Sequence, residues 1–224
     1  EVYIDITGGG PPCSTVSTAR FNFLSPGPRP VRGRGAGFWG LRGLSAVERL
    51  RVADANVLWI HTLSLCEVVS LLGGGHFWEH PDDAGEPYPS IWAIDDMLQM
   101  ESRTGARRSI FDQCMRGAPT RKRTCISGTL DGITDIDGEL CDGSHVHAAS
   151  AGYCHDGTFA SARTAEYSSE LNDWLAECAI RTCNRMLKEG TGPGGWQRGA
   201  VPLPRVSCWS FAGHAGAPGW SILD

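Results

Sequence analysis

The chain has 224 residues, of which 41% are hydrophobic, with 29 glycines, 13 prolines, nine cysteines and eight tryptophans. That apolar share, with eight tryptophans, supports one compact core and argues against a disordered chain. The formal net charge of −5 divides unevenly: residues 1–123 carry 14 Lys/Arg against 13 Asp/Glu, and residues 124–224 carry 6 against 12.

No apolar run is read as approaching the ~18 residues of a membrane span, so no membrane partner is expected. Glu1 in place of Met reads as a cut end, and no signal peptide precedes it. An odd cysteine count leaves at least one thiol unpaired. The spacings show no disulfide framework, so free thiols in an intracellular protein, nuclear if eukaryotic, are expected.

Val2–Thr7 alternates and is β-branched, which predicts a strand. It runs into Gly8-Gly9-Gly10-Pro11-Pro12-Cys13. That places Cys13 just past the C-terminal end of a strand, where open α/β sheets bind ligands. Residues 24–44 are rich in Gly, Pro and Arg and read as a long loop. Ser45 and Glu48 form a capping-box signature. It opens a long helix with apolar positions at Val47, Leu50, Ala53, Val57, Ile60, Leu63 and Val68, ending near Gly73–Gly75.

His76–Glu79 predicts a buried strand, and Ser90 caps a second helix through Ile91, Ile94, Met97 and Leu98. Ile110-Phe111 and Thr124–Ile126 predict two further short strands. Residues 131–160 read as acidic, glycine-rich and irregular, without a core of their own. Thr164–Leu187 is a third helix candidate, and the Gly/Pro/Trp-rich tail from Gly190 reads as loop. Strands alternating with helices predict an α/β fold. The division expected is a core over 1–130 and an irregular Cys/His-containing segment with one helix over 131–224.

Three segments carry chemistry. Gly9–Cys13 fixes a thiol rigidly at a strand end, as covalent catalysis by cysteine requires. Phe77-Trp78-Glu79-His80-Pro81 offers a carboxyl beside aromatic groups, where desolvation favours proton donation. Gly117–Ile126 feeds a basic cluster, Arg121-Lys122-Arg123, into a strand, which suits phosphate contacts. Each also has a structural reading: a buried cysteine after a turn, an exposed turn glutamate, a charged strand entry.

In this order the three segments resemble the cytosine-5 DNA methyltransferase family. Gly9–Cys13 is similar to its Pro-Cys loop, Phe77-Trp78-Glu79 to its Glu-Asn-Val element, and Gly117–Thr124 to its Gly-x-Pro-Gln-x-Arg-x-Arg element. The resemblance spans roughly residues 2–130. A fainter likeness is to methyltransferase-like segments of mobile-element polyproteins, whose other domains would then be partners.

The resemblance implies part of a Rossmann-type methyltransferase sheet and a DNA substrate. Cys13 would attack C6 of a flipped cytosine, Glu79 would contact N3, and S-adenosylmethionine would supply the methyl group. Pro12, Ser14, Ser17, Arg121, Lys122 and Arg123 would contact substrate, and the Arg-rich loop at 29–42 would touch phosphates.

The sequence also departs from the family. Ser14 replaces Gln, and His80-Pro81 replaces Asn-Val. Thr120, Lys122 and Thr124 replace Gln, Arg and Arg, which puts Arg121 and Arg123 on the opposite face of a strand from Lys122. The glycine loop that binds S-adenosylmethionine is not found before Cys13. Ser210–Gly216 is somewhat similar to it and would imply a permuted order, so no cofactor-binding residue is assigned.

Other readings follow from other residues. A non-catalytic nucleic-acid-binding or structural module fits the same departures. His80-Pro81-Asp82-Asp83 is similar to the metal motif of zinc-dependent sugar-amide deacetylases. Cys141, His145, His147, Cys154 and His155 make zinc a second cofactor candidate. Their C-x3-H-x-H-x6-C-H spacing fits no common finger pattern, so no metal ligand is assigned. Gly8–Gly10 lacks the Gly-Lys-Ser/Thr of a P-loop.

Overall fold

The computed structural model describes residues 4–22, 28–149, 160 and 166–192. The chain is α/β, with a four-stranded mixed sheet and three α-helices among the described residues. The strands are β1 (Ile6–Gly9), β2 (Gly75–Pro81), β3 (Arg107–Asp112) and β4 (Arg123–Gly128), and the helices are α1 (Ala46–Leu71), α2 (Asp95–Thr104) and α3 (Ser169–Glu189).

The sheet order is β1-β2-β4-β3. β1 and β2 run parallel, with Gly9 opposite Trp78, and α1 lies in the connection between them. This is a βαβ unit, which brings both strands' C-terminal ends to one edge. β4 runs antiparallel to both β2 and β3.

β1 lies further along the chain than the predicted Val2–Thr7. Gly8 and Gly9 join the strand, and a Cβ on Gly8 would stand 2.3 Å from the Phe77 ring. Only a glycine lets β1 approach β2 there. Pro11 and Pro12 offer no N–H, and the ladder ends before them.

α1 begins as predicted. The Ser45 side chain accepts from the Glu48 amide, and the Glu48 side chain accepts from the Ser45 amide. The buried face is a different matter. Val52, Ala55, Trp59, Leu63, Cys66 and Val69 are buried, whereas Val47, Leu50, Val57, Ile60 and Val68 are 49–67% exposed. Of the positions expected to be apolar contacts, only Leu63 falls in the buried set. The helix is apolar nearly all round, so periodicity does not choose a face. By length and composition α1 is also apolar enough to cross a membrane, contrary to the expectation that nothing was; here its inward face is core.

Ser90 caps a 3-10 turn, Ile91–Ala93, and α2 starts only at Asp95. The sheet carries a core on each face. Trp59, Leu63 and Cys66 of α1, Met97 and Met100 of α2, and Trp78 and Cys125 share one cluster. Phe111 and Ile126 join Leu171, Trp174, Leu175 and Cys178 of α3 in the other.

That second cluster includes Leu130, Ile133 and Ile136, each at most 1% exposed. Residues 131–137 are irregular, as expected, but they do have a core. Their apolar side chains fill the space between β3, β4 and α3. The core therefore runs across the expected boundary at residue 130. Of the expected 131–224 segment, the tail beyond 192, with Ser210–Gly216, lies outside the described residues.

Candidate active site at the ends of the parallel strands

The ends of β1 and β2 meet at one point. Glu79 is 4% exposed. Its Oε1 accepts from Lys122 Nζ at 3.2 Å, and its Oε2 accepts from the Tyr167 hydroxyl at 2.9 Å. Gly10 closes the third side: a Cβ there would lie 2.6 Å from Glu79 Oε2 and 2.7 Å from the Tyr167 hydroxyl. The glycine makes room for these two side chains, not for an approaching ligand as the loop alone suggests.

Cys13 is partly buried against the α1 side of the core. Its thiol is within electrostatic reach of Lys122, Glu79 and Tyr167. Burial pushes the thiol above its ordinary value, Lys122 pulls it down, and Glu79 raises it again. Burial, with Glu79 beside it, also lifts the Tyr167 hydroxyl well above the usual range, so Tyr167 stays a donor.

Around Cys13 the chain turns its side chains alternately. Pro12 and Ser14 are exposed, and with Thr15, Leu50, Arg51 and Leu58 they line an open groove of about 380 Å³ beside α1. Cys13 is not among the groove's lining residues. Ser17 accepts from the Ala19 amide and caps the turn Thr18–Phe21.

The Pro-Cys loop is held by a tryptophan of α1 and by two arginines. The Trp59 indole donates to the Pro12 carbonyl at 3.1 Å. Arg20 Nε donates to the Ser14 carbonyl at 2.5 Å. Arg32 has no exposed surface; its guanidinium donates to Thr15 Oγ1, the Phe38 and Val52 carbonyls and Asn56 Oδ1, and stacks 4.2 Å above the Trp59 ring. Arg29 pairs with Glu48, and Arg34 makes a bidentate pair with Asp83, both bonds at 2.7 Å. Arg32 is therefore engaged inside the fold, and Arg29 and Arg34 are paired with carboxylates nearer the surface, where the resemblance implied free phosphate contacts. A burst of arginine in sequence does not distinguish the two uses.

Arg121 and Arg123 also turn away from Glu79. Both reach Asp112, at 3.3 Å and 2.9 Å, while Lys122 between them points to Glu79. The alternation expected of a strand entry holds, and it assigns one basic side chain to the site and two to the other face. Asp112 has no exposed surface; Arg123, with the Cys141 amide, holds its carboxyl down to about 2.

His80 and Pro81, where the family has Asn-Val, are built inward. His80 is 2% exposed and lies edge-on to Trp59 and Trp92. The Trp92 indole donates to the Pro81 carbonyl at 2.7 Å. His80 thus faces an aromatic box and Asp83 is engaged by Arg34. The His80, Asp82 and Asp83 set is not gathered as metal ligands among the described residues.

Tyr167 and Cys114 were not anticipated. Tyr167 comes from far along the chain, just before α3, and no local pattern marks it. Cys114, in the 3-10 turn Gln113–Arg116, lies with Cys141, His145 and His147 so that one ligand atom of each falls within 4.8 Å of the others. Cys154 and His155, placed in the same group from sequence, lie outside the described residues. Every cysteine among the described residues is a free thiol. Comparison with protein-family models, with curated proteins and with solved structures finds no match to this chain.

Proposed function

We propose that the chain is a cytosine-5 DNA methyltransferase-like domain in which Cys13 is the nucleophile and Glu79 the electrophilic partner. The observation that supports this reading is convergence. Glu79 and Lys122, from segments distant in sequence, are in contact at the strand ends, and the Cys13 thiol, packed on the α1 side, lies within electrostatic reach of both.

The chemistry asked of them is a reversible addition. The Cys13 thiol gives its proton, by way of solvent, to the Glu79 carboxylate, and the thiolate forms a carbon–sulfur bond to C6 of a flipped cytosine. The C5–C6 electron pair moves into the ring as protonated Glu79 donates that proton to N3, which neutralises the developing charge and returns the carboxylate. Lys122 favours the thiolate and offsets the carboxylate beside it. Tyr167 occupies Glu79 Oε2, so a base reaching this carboxyl must displace the Tyr167 hydroxyl or Lys122.

Methylation at C5 further requires S-adenosylmethionine, and the described residues do not fit that group. Gly8 is filled by Phe77, and Gly10 by Glu79 and Tyr167. No methyl-transfer step is therefore assigned to these residues.

The second reading is a nucleic-acid-binding or structural module without catalysis. It is favoured by the pairing of both Glu79 oxygens and by the burial of Arg20 and Arg32.

Trapping separates the two. DNA carrying a mechanism-based 5-azacytosine is incubated with the chain and S-adenosylmethionine. A covalent adduct that is lost in Cys13→Ser is expected. Equal absence of adduct in both proteins removes the covalent reading; salt-dependent DNA binding without adduct would then support the module.

A further inference from the structure

We propose that Cys114, Cys141, His145 and His147 bind a structural zinc ion that ties the turn between β3 and β4 to the loop that follows β4. The four side chains come from two separate segments and offer two sulfurs and two imidazole nitrogens. Cys141 Sγ lies 3.8 Å from His145 Nε2 and 3.3 Å from His147 Nε2, and Cys114 Sγ lies within 4.8 Å of all three ligand atoms. Zinc–sulfur bonds of about 2.3 Å and zinc–nitrogen bonds of about 2.0 Å in a tetrahedron put sulfur and nitrogen about 3.5 Å apart. The observed distances bracket that value without any ion to impose it.

The donor set selects the metal. Two thiolates and two imidazoles in a tetrahedral arrangement suit zinc, whereas carboxylate-free sites do not suit magnesium or calcium. Four protein ligands leave no open position, so the site is structural rather than catalytic.

The surroundings hold the ligands in place. Asp112 accepts from the Cys141 amide at 2.9 Å, and the Gly143 amide donates to Cys141 Sγ at 3.3 Å. The Ala148 amide donates to the Pro119 carbonyl at 2.8 Å, which folds the histidine-bearing loop back over the turn. Cys114 and Cys141 are each 9% exposed, while the histidines close the outer side.

The ion would cross-link chain that otherwise has few apolar contacts. The Gln113 amide donates to the Lys122 carbonyl, and Ser168 bonds the Arg116 carbonyl, so the same turn positions Lys122 and the approach to Tyr167. The inference does not depend on the methyltransferase reading.

The test is metal content and ligand identity on the untagged chain, produced with zinc present. About one zinc per chain is expected. X-ray absorption at the zinc edge should show two sulfur and two nitrogen neighbours. Cobalt substitution should give intense tetrahedral d–d bands with thiolate charge transfer. Cys114→Ser and His147→Ala should each lower zinc retention, and Cys154→Ser should leave it unchanged. Zinc-free protein, a Cys114–Cys141 disulfide, a shell without two sulfurs, or loss of zinc in Cys154→Ser but not in Cys114→Ser would each overturn the proposal. The absorption measurement uses the unaltered chain, so a variant that fails to fold does not leave the question open.

Discussion

Lys122 Nζ lies 3.2 Å from Glu79 Oε1, and the two side chains are only 16% and 6% exposed. They are partners at the mouth of the sheet, reached from the ends of antiparallel β4 and β2. Removing one leaves the other charge in a nearly dry site. A buried unpaired charge is costly, typically 3–5 kcal/mol when one partner is deleted.

Lys122→Met should therefore lower the unfolding free energy by roughly 3 kcal/mol, read from denaturant midpoints at constant slope. The same change removes the charge that favours the Cys13 thiolate. Alkylation of Cys13 by iodoacetamide should become slower at a given pH, with its pH profile moved to higher pH. An unchanged profile would mean that Lys122 does not act on the thiol.

Tyr167→Phe removes the donor to Glu79 Oε2 and keeps the ring. A loss of about 1–2 kcal/mol in stability is expected for one buried acceptor left short. In the trapping assay Tyr167→Phe should raise the rate of adduct formation, because the base no longer competes with the hydroxyl for that oxygen. A slower rate would show that the hydroxyl assists instead of occluding.

Burial pushes His80 down to about 3 and His76 down to about 4, from an ordinary value of 6.5. Both rings are neutral in the fold, and the Nε2 of each has no hydrogen-bond partner among the described residues. The unfolded chain thus binds more protons than the folded one between the lowered and the ordinary values. Stability is fully present above pH 6.5 and falls as the pH drops below it. Each pH unit across that window costs about 1.4 kcal/mol per histidine. Denaturant midpoints should drop on going from about pH 7 to about pH 5, and His80→Gln should flatten the slope. A midpoint independent of pH over that range would contradict the buried neutral rings.

Arg32 donates to four neutral acceptors and stacks on Trp59, which in turn holds Pro12. Arg32→Lys keeps a charge but loses the planar fork and the stacking. A loss of roughly 2–4 kcal/mol is expected, since several buried acceptors are left unpaired. Cys13 alkylation should also quicken as the loop loosens. A surface arginine meeting phosphate would show neither effect.

The parts legible in sequence are the local ones. The capping box at Ser45 fixed where α1 starts, because both bonds lie within one turn of chain. The prolines at 11 and 12 lack an amide hydrogen and stop the ladder, but β1 runs to Gly9, two residues past the Thr7 that alternation predicted. The four strands and three helices were each indicated, with boundaries shifted by a few residues, and so were Cys13, Glu79 and Lys122 as chemically distinctive groups.

Tertiary structure decided what depends on distant partners. α1 is apolar on nearly every side, and only the positions of β1, β2 and α2 chose the Trp59 face for burial. Asp112 and Glu79 divided the basic triplet, two side chains to one and one to the other, through contacts across the sheet edge. Cys114 joined Cys141 and the histidines because β3 delivers its end beside their loop, a proximity no spacing rule encodes. Local pattern records what the neighbouring residues require. Which charges pair, and which face goes dry, is settled only when segments far apart in the chain compete for the same small space.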